Sequence, residues 1–258
     1  MSTGAAIIGH EISLLDCEGW HVRVFDELPS TNTFAARLPK WNAIRAVRQT
    51  AGRGRTADRH WVSDDGGLWL SAVLPCPGSR PKWAMLPLAA GWAVLEALRE
   101  FGVAGARLRW PNDVMIGRRK LAGLLVERFT ADTAVVGLGM NIFNHPEEIA
   151  VSLDGVVAHL ADLVPGAYTV DDVSRLMLRG LRRMHAILLN AGFHAIADEL
   201  NIAWEKPRRV EVTLNGRGQT FDGLFQGIDH HGRLRLLTDR QGRRHYDATD
   251  VALLRELD

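Results

Sequence analysis

Apolar and polar positions alternate along His21-Val22-Arg23-Val24-Phe25-Asp26-Glu27-Leu28, the period of a half-buried strand. Pro29 ends that run, and Ser30-Thr31-Asn32 opens a short helical stretch to Leu38, with a hydroxyl or amide placed to cap it. Ala43 to Arg48 predicts a strand that delivers Gln49 into the next loop, and Leu68 to Leu74 predicts another, introduced by Gly66-Gly67. Leu86 to Phe101 places apolar residues at helical spacing and stops at Gly102, a helix with a packing role. Ala106 to Trp110 predicts a strand running into Pro111, Val114–Ile116 with Lys120–Glu127 a hairpin, and Thr133 to Asn141 a further strand. Val170 to Leu189 is an amphipathic helix started by Asp171-Asp172, and Phe193 to Trp204 a second helix. Residues 1–20 show no clear period, and 144–170 reads as loop-rich with one apolar stretch at 149–163. Beyond Pro207, five short stretches separated by glycine turns predict a small β-barrel.

A chain of 258 residues accommodates one sizeable domain and a small second one, placed here at 1–206 and 207–258. The net charge of +1 argues against a general nucleic-acid binder, and no apolar run approaches the ~18 residues of a membrane helix. Two cysteines make no disulfide framework, and the N-terminus shows no secretory signal, so a reducing cytoplasm is expected.

The candidate chemistry sits in two clusters. In Gln49-Thr50-Ala51-Gly52-Arg53-Gly54-Arg55, two glycines alternate with two arginines, and Trp61 follows. Glycines let backbone N–H groups come close to an anion, and guanidinium forks match phosphate or carboxylate oxygens. Lys40 to Trp61 holds six Lys/Arg against one acid, Asp58. About fifty residues on come Arg109-Trp110-Pro111-Asn112-Asp113 and Lys120-Leu121-Ala122-Gly123-Leu124-Leu125. A glycine inside a strand, as at Gly123, marks close approach of a ligand or another backbone.

Taken together, Ser30-Thr31-Asn32, the Gly-Arg-Gly-Arg loop with Trp61, the Trp-Pro-Asn-Asp turn and the Lys-x-x-Gly strand resemble the biotin protein ligases. Phe221-x-Gly223-x-x-x-Gly227-Ile228-Asp229 resembles the small C-terminal barrel of that family. The likeness spans roughly residues 21–255, in the family's order. One departure is local: where the family reads Gly-Arg-Gly-Arg-x-Gly-Arg-x-Trp, this chain has Thr56-Ala57-Asp58-Arg59-His60-Trp61 after Arg55, lacking the third glycine and one residue longer. Arg59 is taken as the loop's third arginine. The resemblance is to members without an N-terminal DNA-binding domain.

The resemblance implies an α+β fold, a mixed β-sheet backed by helices plus a C-terminal SH3-like barrel. It implies an ATP-dependent enzyme that makes biotinyl-5′-AMP and passes biotin to a lysine of a biotin carboxyl carrier protein. Lys120, Arg53 and Arg55 would be catalytic. Ser30, Thr31, Asn32, Gln49, Gly52, Arg53, Lys120 and Gly123 would contact biotin, with Gly123 admitting it against the backbone. Arg55, Arg59, Trp61, Asn112, Asp113 and Asn141 would face ATP or the adenylate, and Asp113 is the candidate Mg²⁺ ligand. A homodimer is conceivable on this reading; nucleic acid and membrane are not expected partners. The alternatives are a lipoate–protein ligase, a non-catalytic binding module and a catalytically degenerate paralogue.

Overall fold

The computed structural model describes residues 9–56, 59–78, 83–150, 156–216, 218–239 and 242–257. Eight strands form one sheet: β1 (Glu11–Cys17), β2 (Trp20–Leu28), β3 (Asn42–Gln49), β4 (Leu68–Pro75), β5 (Ala106–Arg109), β6 (Asp113–Ile116), β7 (Arg119–Glu127) and β8 (Thr133–Met140). Their spatial order is β1-β2-β3-β4-β8-β7-β6-β5. β2 and β3 run parallel, joined by the short helix α1 (Thr31–Ala35), and the other neighbours are antiparallel. The sheet is therefore mixed, and the remaining helices are α2 (Leu86–Glu100), α3 (Pro146–Ile149), α4 (Val170–Asn190) and α5 (His194–Ala203).

β4 shows why the centre of this sheet holds together. Leu68-Trp69-Leu70-Ser71-Ala72-Val73-Leu74 is buried throughout, as a strand covered on both faces must be. Ser71, its one polar side chain, is fully buried and belongs to the site described below. α2 and α4 pack on each other over one face, and Trp20 donates its Nε1–H to the Leu178 carbonyl at 3.0 Å, tying β2 to α4. α4 begins with a reciprocal capping box between Thr169 and Asp172.

Two expectations change. Residues 11–17, which showed no period, form β1 on the sheet edge, where Ile12 and Leu14 are exposed and the core imposes no alternation. Ser30 is the N-cap of α1 but its side chain makes no capping bond. The free N–H of Thr31 instead donates to Gln49 Oε1 at 2.9 Å, so the end of β3 supplies the acceptor.

β9 (Arg208–Leu214), β10 (Thr220–Ile228), β11 (Leu234–Thr238), β12 (Gly242–Tyr246) and β13 (Val251–Glu256) form a second, antiparallel sheet in the order β12-β11-β10-β9-β13. Trp110 and Trp204 dock it: Trp110 Nε1–H donates to the Gly232 carbonyl at 3.2 Å, and Trp204, held by its own Nε1–H on the Leu108 carbonyl of β5 at 2.5 Å, sets its ring 5.0 Å from that of Phe225 on β10. Trp110 is thus a core residue at the junction of the two sheets, 3% exposed.

Candidate functional site

One cavity of about 400 Å³ opens where the glycine-arginine loop, the Pro111 turn and β7 and β8 meet the C-terminal sheet. Its floor follows from strand periodicity. On β8, Gly137 and Gly139 are two apart and share a face, and Gly123 on β7 pairs directly with Gly139. The result is a patch of sheet without side chains. A Cβ added at Gly123 would lie 2.7 Å from Trp61 Cζ3, and one at Gly139 2.8 Å from Trp61 Cε2. One added at Gly137 would lie 2.2 Å from Asn32 Oδ1. These glycines exist so that two side chains, an indole and an amide, can lie on the backbone.

The loop that carries Trp61 is folded back by its own backbone. Gln49 N–H donates to the Ser63 carbonyl at 2.9 Å, Trp61 N–H to the Gly52 carbonyl at 3.0 Å and Gly54 N–H to the Arg59 carbonyl at 2.7 Å. Gly52 is required here, since a Cβ would come within 2.5 Å of the Trp61 carbonyl oxygen. Ala57 and Asp58, the centre of the loop's departure from the family pattern, lie outside the described residues.

At one end of the cavity, Asp113 anchors two cations. Its Oδ1 is 2.6 Å from Lys120 Nζ and its Oδ2 is 2.6 Å from Arg109 Nη2. Burial by itself would raise the pKa of this carboxyl, but Lys120 and Arg109 outweigh that and hold it below the ordinary value. Lys120 Nζ also sits 4.6 Å from the centre of the Trp61 ring, a cation–π contact. The backbone of Lys120 is held from the other side: its N–H donates to the Val156 carbonyl at 2.8 Å, and its carbonyl accepts from Ala158 N–H at 2.9 Å.

At the other end runs a polar chain. Thr31 Oγ1 and Gln49 Oε1 are 3.0 Å apart, and Gln49 Nε2 donates to Ser63 Oγ at 2.9 Å. Ser71 Oγ lies within hydrogen-bonding distance of Thr31 Oγ1 (2.8 Å) and Asn32 Oδ1 (2.6 Å). Asn32 Nδ2 donates to Glu127 Oε2 at 2.8 Å, and Arg53 Nη2 donates to the same oxygen at 2.8 Å.

The chain shares this architecture with known proteins. Residues 24–141 match the Biotin/lipoate A/B protein ligase family, and residues 208–254 match the biotin protein ligase C-terminal domain. A biotin--[acetyl-CoA-carboxylase] ligase of Paracoccus denitrificans is 31% identical over 245 residues, covering 86% of this chain and 96% of that one. The chain belongs to the biotin protein ligase family. A biotin--[acetyl-CoA-carboxylase] ligase of Mycobacterium tuberculosis is 35% identical over 199 residues, 74% of this chain and 71% of its own length. A solved biotin protein ligase of Aquifex aeolicus, in complex with biotin and ATP, superposes with a TM-score of 0.77 at 26% identity, covering 91% of this chain and 98% of that one.

Ser30, Thr31, Asn32, Gln49, Arg53, Arg55, Arg59, Trp61, Asn112, Asp113, Lys120, Gly123 and Asn141 all border the one cavity. Several of them also have partners within the fold. Arg55 turns to the C-terminal sheet, donating to the carbonyls of Ala248, Val251 and Ala252 at 2.9, 2.7 and 2.9 Å. It fastens the loop to the second sheet. Gly123 lies under the Trp61 indole. Asn112 Nδ2 donates to the Leu124 carbonyl at 2.6 Å, and Asn141 Nδ2 to the Lys120 carbonyl at 3.3 Å, so both amides brace β7.

Asp113 does not fit the Mg²⁺ role. Both carboxylate oxygens are already paired with cations, which leaves a divalent ion facing two positive charges there.

Arg109 stood in the second cluster without a role, and Ser63, Ser71, Glu127 and Asn144 were assigned none, yet each positions a site residue. Ser71 could have been noticed as the lone polar residue in an apolar strand. Glu127 could not, because only the fold sets it beside Arg53.

Proposed function

We propose that this protein is a biotin–protein ligase. It joins the carboxylate of biotin to the α-phosphorus of ATP, releasing pyrophosphate, and then lets a carrier lysine displace AMP from biotinyl-5′-AMP. The supporting observation is the convergence of Lys120 and Arg53, from distant segments, on one cavity floored by glycine. A carboxylate is already ionised at neutral pH, so the first step needs no base. It needs two anions held together and the phosphoryl charge neutralised.

In this reading Lys120 supplies its ammonium to the carboxylate and α-phosphate oxygens, with Asp113 fixing where that ammonium stands. Arg53 supplies a second positive group and Glu127 orients it. Arg59 acts from the loop toward the nucleotide, and Arg55 holds that loop to the C-terminal sheet. Thr31, Gln49, Asn32 and Ser30 offer donors and acceptors to the polar ring of biotin, and Gly52 admits the loop's return over it. Trp61 walls the adenylate. Mg²⁺ enters with the ATP phosphates as the nucleotide's own counter-ion. Residues 1–206 would form the catalytic part and 207–258 the small domain, and the reaction would take place in the cytoplasm on a biotin carboxyl carrier protein. Among the described residues no helix is long and apolar enough to cross a membrane.

The test is mass spectrometry of a biotin carrier domain after incubation with this protein, ATP, Mg²⁺ and biotin. One biotinyl addition is expected. Lipoate in place of biotin gives no adduct on this reading; transfer of lipoate alone would assign the other branch of the family, and no pyrophosphate release with either acid would mean an inactive paralogue.

A further inference from the structure

Beside the Lys120 end of the cavity, outside the groups used above, three side chains converge. His145 and Glu147 lie on and beside α3, in the loop that leaves β8, and His159 lies on the strap at 156–159 that runs alongside Lys120. Their ligand-type atoms all lie within 4.8 Å of one another. His145 Nδ1 is 3.2 Å from Glu147 Oε1, and His159 Nε2 is 3.3 Å from Glu147 Oε2.

An ion-pair cluster alone does not account for this arrangement. Glu147 Oε2 and His159 Nε2 are both buried atoms, and neither has an aligned hydrogen-bond partner among the described residues despite their proximity. His159 is 9% exposed and aims that nitrogen inward. Buried polar atoms without partners are costly, and the cost disappears if a cation takes both lone pairs.

We propose that His145, Glu147 and His159 bind one divalent cation of the zinc class. Two imidazoles and a carboxylate are the ligands of zinc, cobalt and nickel, whereas magnesium prefers oxygen alone. Bonds of about 2.0–2.1 Å in tetrahedral geometry place ligand atoms ~3.3 Å apart. His145 and His159 each meet one Glu147 oxygen at about that spacing, and the set as a whole, within 4.8 Å, closes in to share one ion. The second nitrogen of His159, Nδ1, lies 3.5 Å from Asp162 Oδ2, an outer carboxylate placed to hold the Nδ1 proton once Nε2 binds metal. His145 is exposed, which leaves an open fourth position and an entry path. The ion joins the β8 exit loop to the strap whose backbone grips Lys120, and Pro146 and Val156 from these two segments line the cavity. The site does not depend on which acid the enzyme activates.

The experiment uses tag-free, EDTA-stripped full chain. Isothermal titration with Zn²⁺ should show one saturable equivalent, Co²⁺ should give the visible absorption of a tetrahedral site, and Mg²⁺ at the same concentration should give neither. His159→Ala and Glu147→Gln should each weaken Zn²⁺ binding at least about tenfold. His145→Ala/Glu147→Gln, at an exposed and a half-buried position, covers the case in which His159→Ala fails to fold. Zn²⁺ should raise the melting temperature of the wild type and not of that double variant. Absence of one-equivalent binding, or equal affinity in the double variant, would overturn the site; the chain has ten histidines, and unchanged affinity would place the ion on others.

Discussion

Arg55→Ala separates a structural arginine from a ligand-binding one. In the structure its guanidinium donates to three carbonyls of the C-terminal sheet at 2.7–2.9 Å. Burial pushes its pKa down, with Asp113 opposing that effect, so the cation is partly desolvated and depends on those acceptors. Hydrogen bonds to a charged donor contribute about 1.5–3 kcal/mol each, but three share one desolvation cost, which leaves a net of about 2–4 kcal/mol. For a chain of this size that corresponds to a melting temperature lower by roughly 5–15 °C. The assay is thermal or urea unfolding of the protein without ligand, followed by tryptophan fluorescence, since Trp110 and Trp204 sit at the junction of the two sheets. Arg55→Lys, which keeps the charge but loses the fork, should recover at most part of the loss. If unliganded Arg55→Ala is as stable as the wild type, or more so, the clamp is wrong. The residue would then be one held ready for a ligand, because removing an unsatisfied charged group from a binding site relieves the free protein.

Lys120→Ala should lower adenylate formation by about 10²–10³ while the protein stays folded, because Arg109 still neutralises Asp113; pyrophosphate release and circular dichroism check the two halves. Gly139→Ala should push the Trp61 indole off β8, destabilise the fold by about 1–3 kcal/mol and shift tryptophan emission, read by denaturant titration. Stability should also depend on His185. Burial, against the opposing bond from its Nε2–H to the Pro75 carbonyl at 2.7 Å, holds its pKa below the ordinary 6.5. A depressed histidine contributes stability that is present above the unfolded pKa and lost as pH falls toward the folded one. The wild type should therefore weaken on acidification below about pH 6.5. His185→Gln should flatten that part of the unfolding-midpoint profile, and an unchanged slope would assign it to other groups.

The order of elements and the residues around the cavity could be read from the chain, because both rest on local rules. Alternation at 21–28, continuous burial at 68–74 and helical spacing at 86–101 report which side chains face a core, and the tertiary structure keeps each of them. Glycine at 123 announced that something must approach its strand. What approaches was decided by pairing. Only the register of β7 on β8 sets Gly123 opposite Gly139 and makes a bare patch wide enough for Trp61. Likewise the arginines advertised an anion site, yet their partners lie far along the chain: Glu127 for Arg53, and the carbonyls of 248–252 for Arg55. The chain alone determined which residues carry charge and where backbone is laid bare. Folding determined which of those charges compensate one another, since an ion pair depends on distances in space that no spacing in sequence encodes.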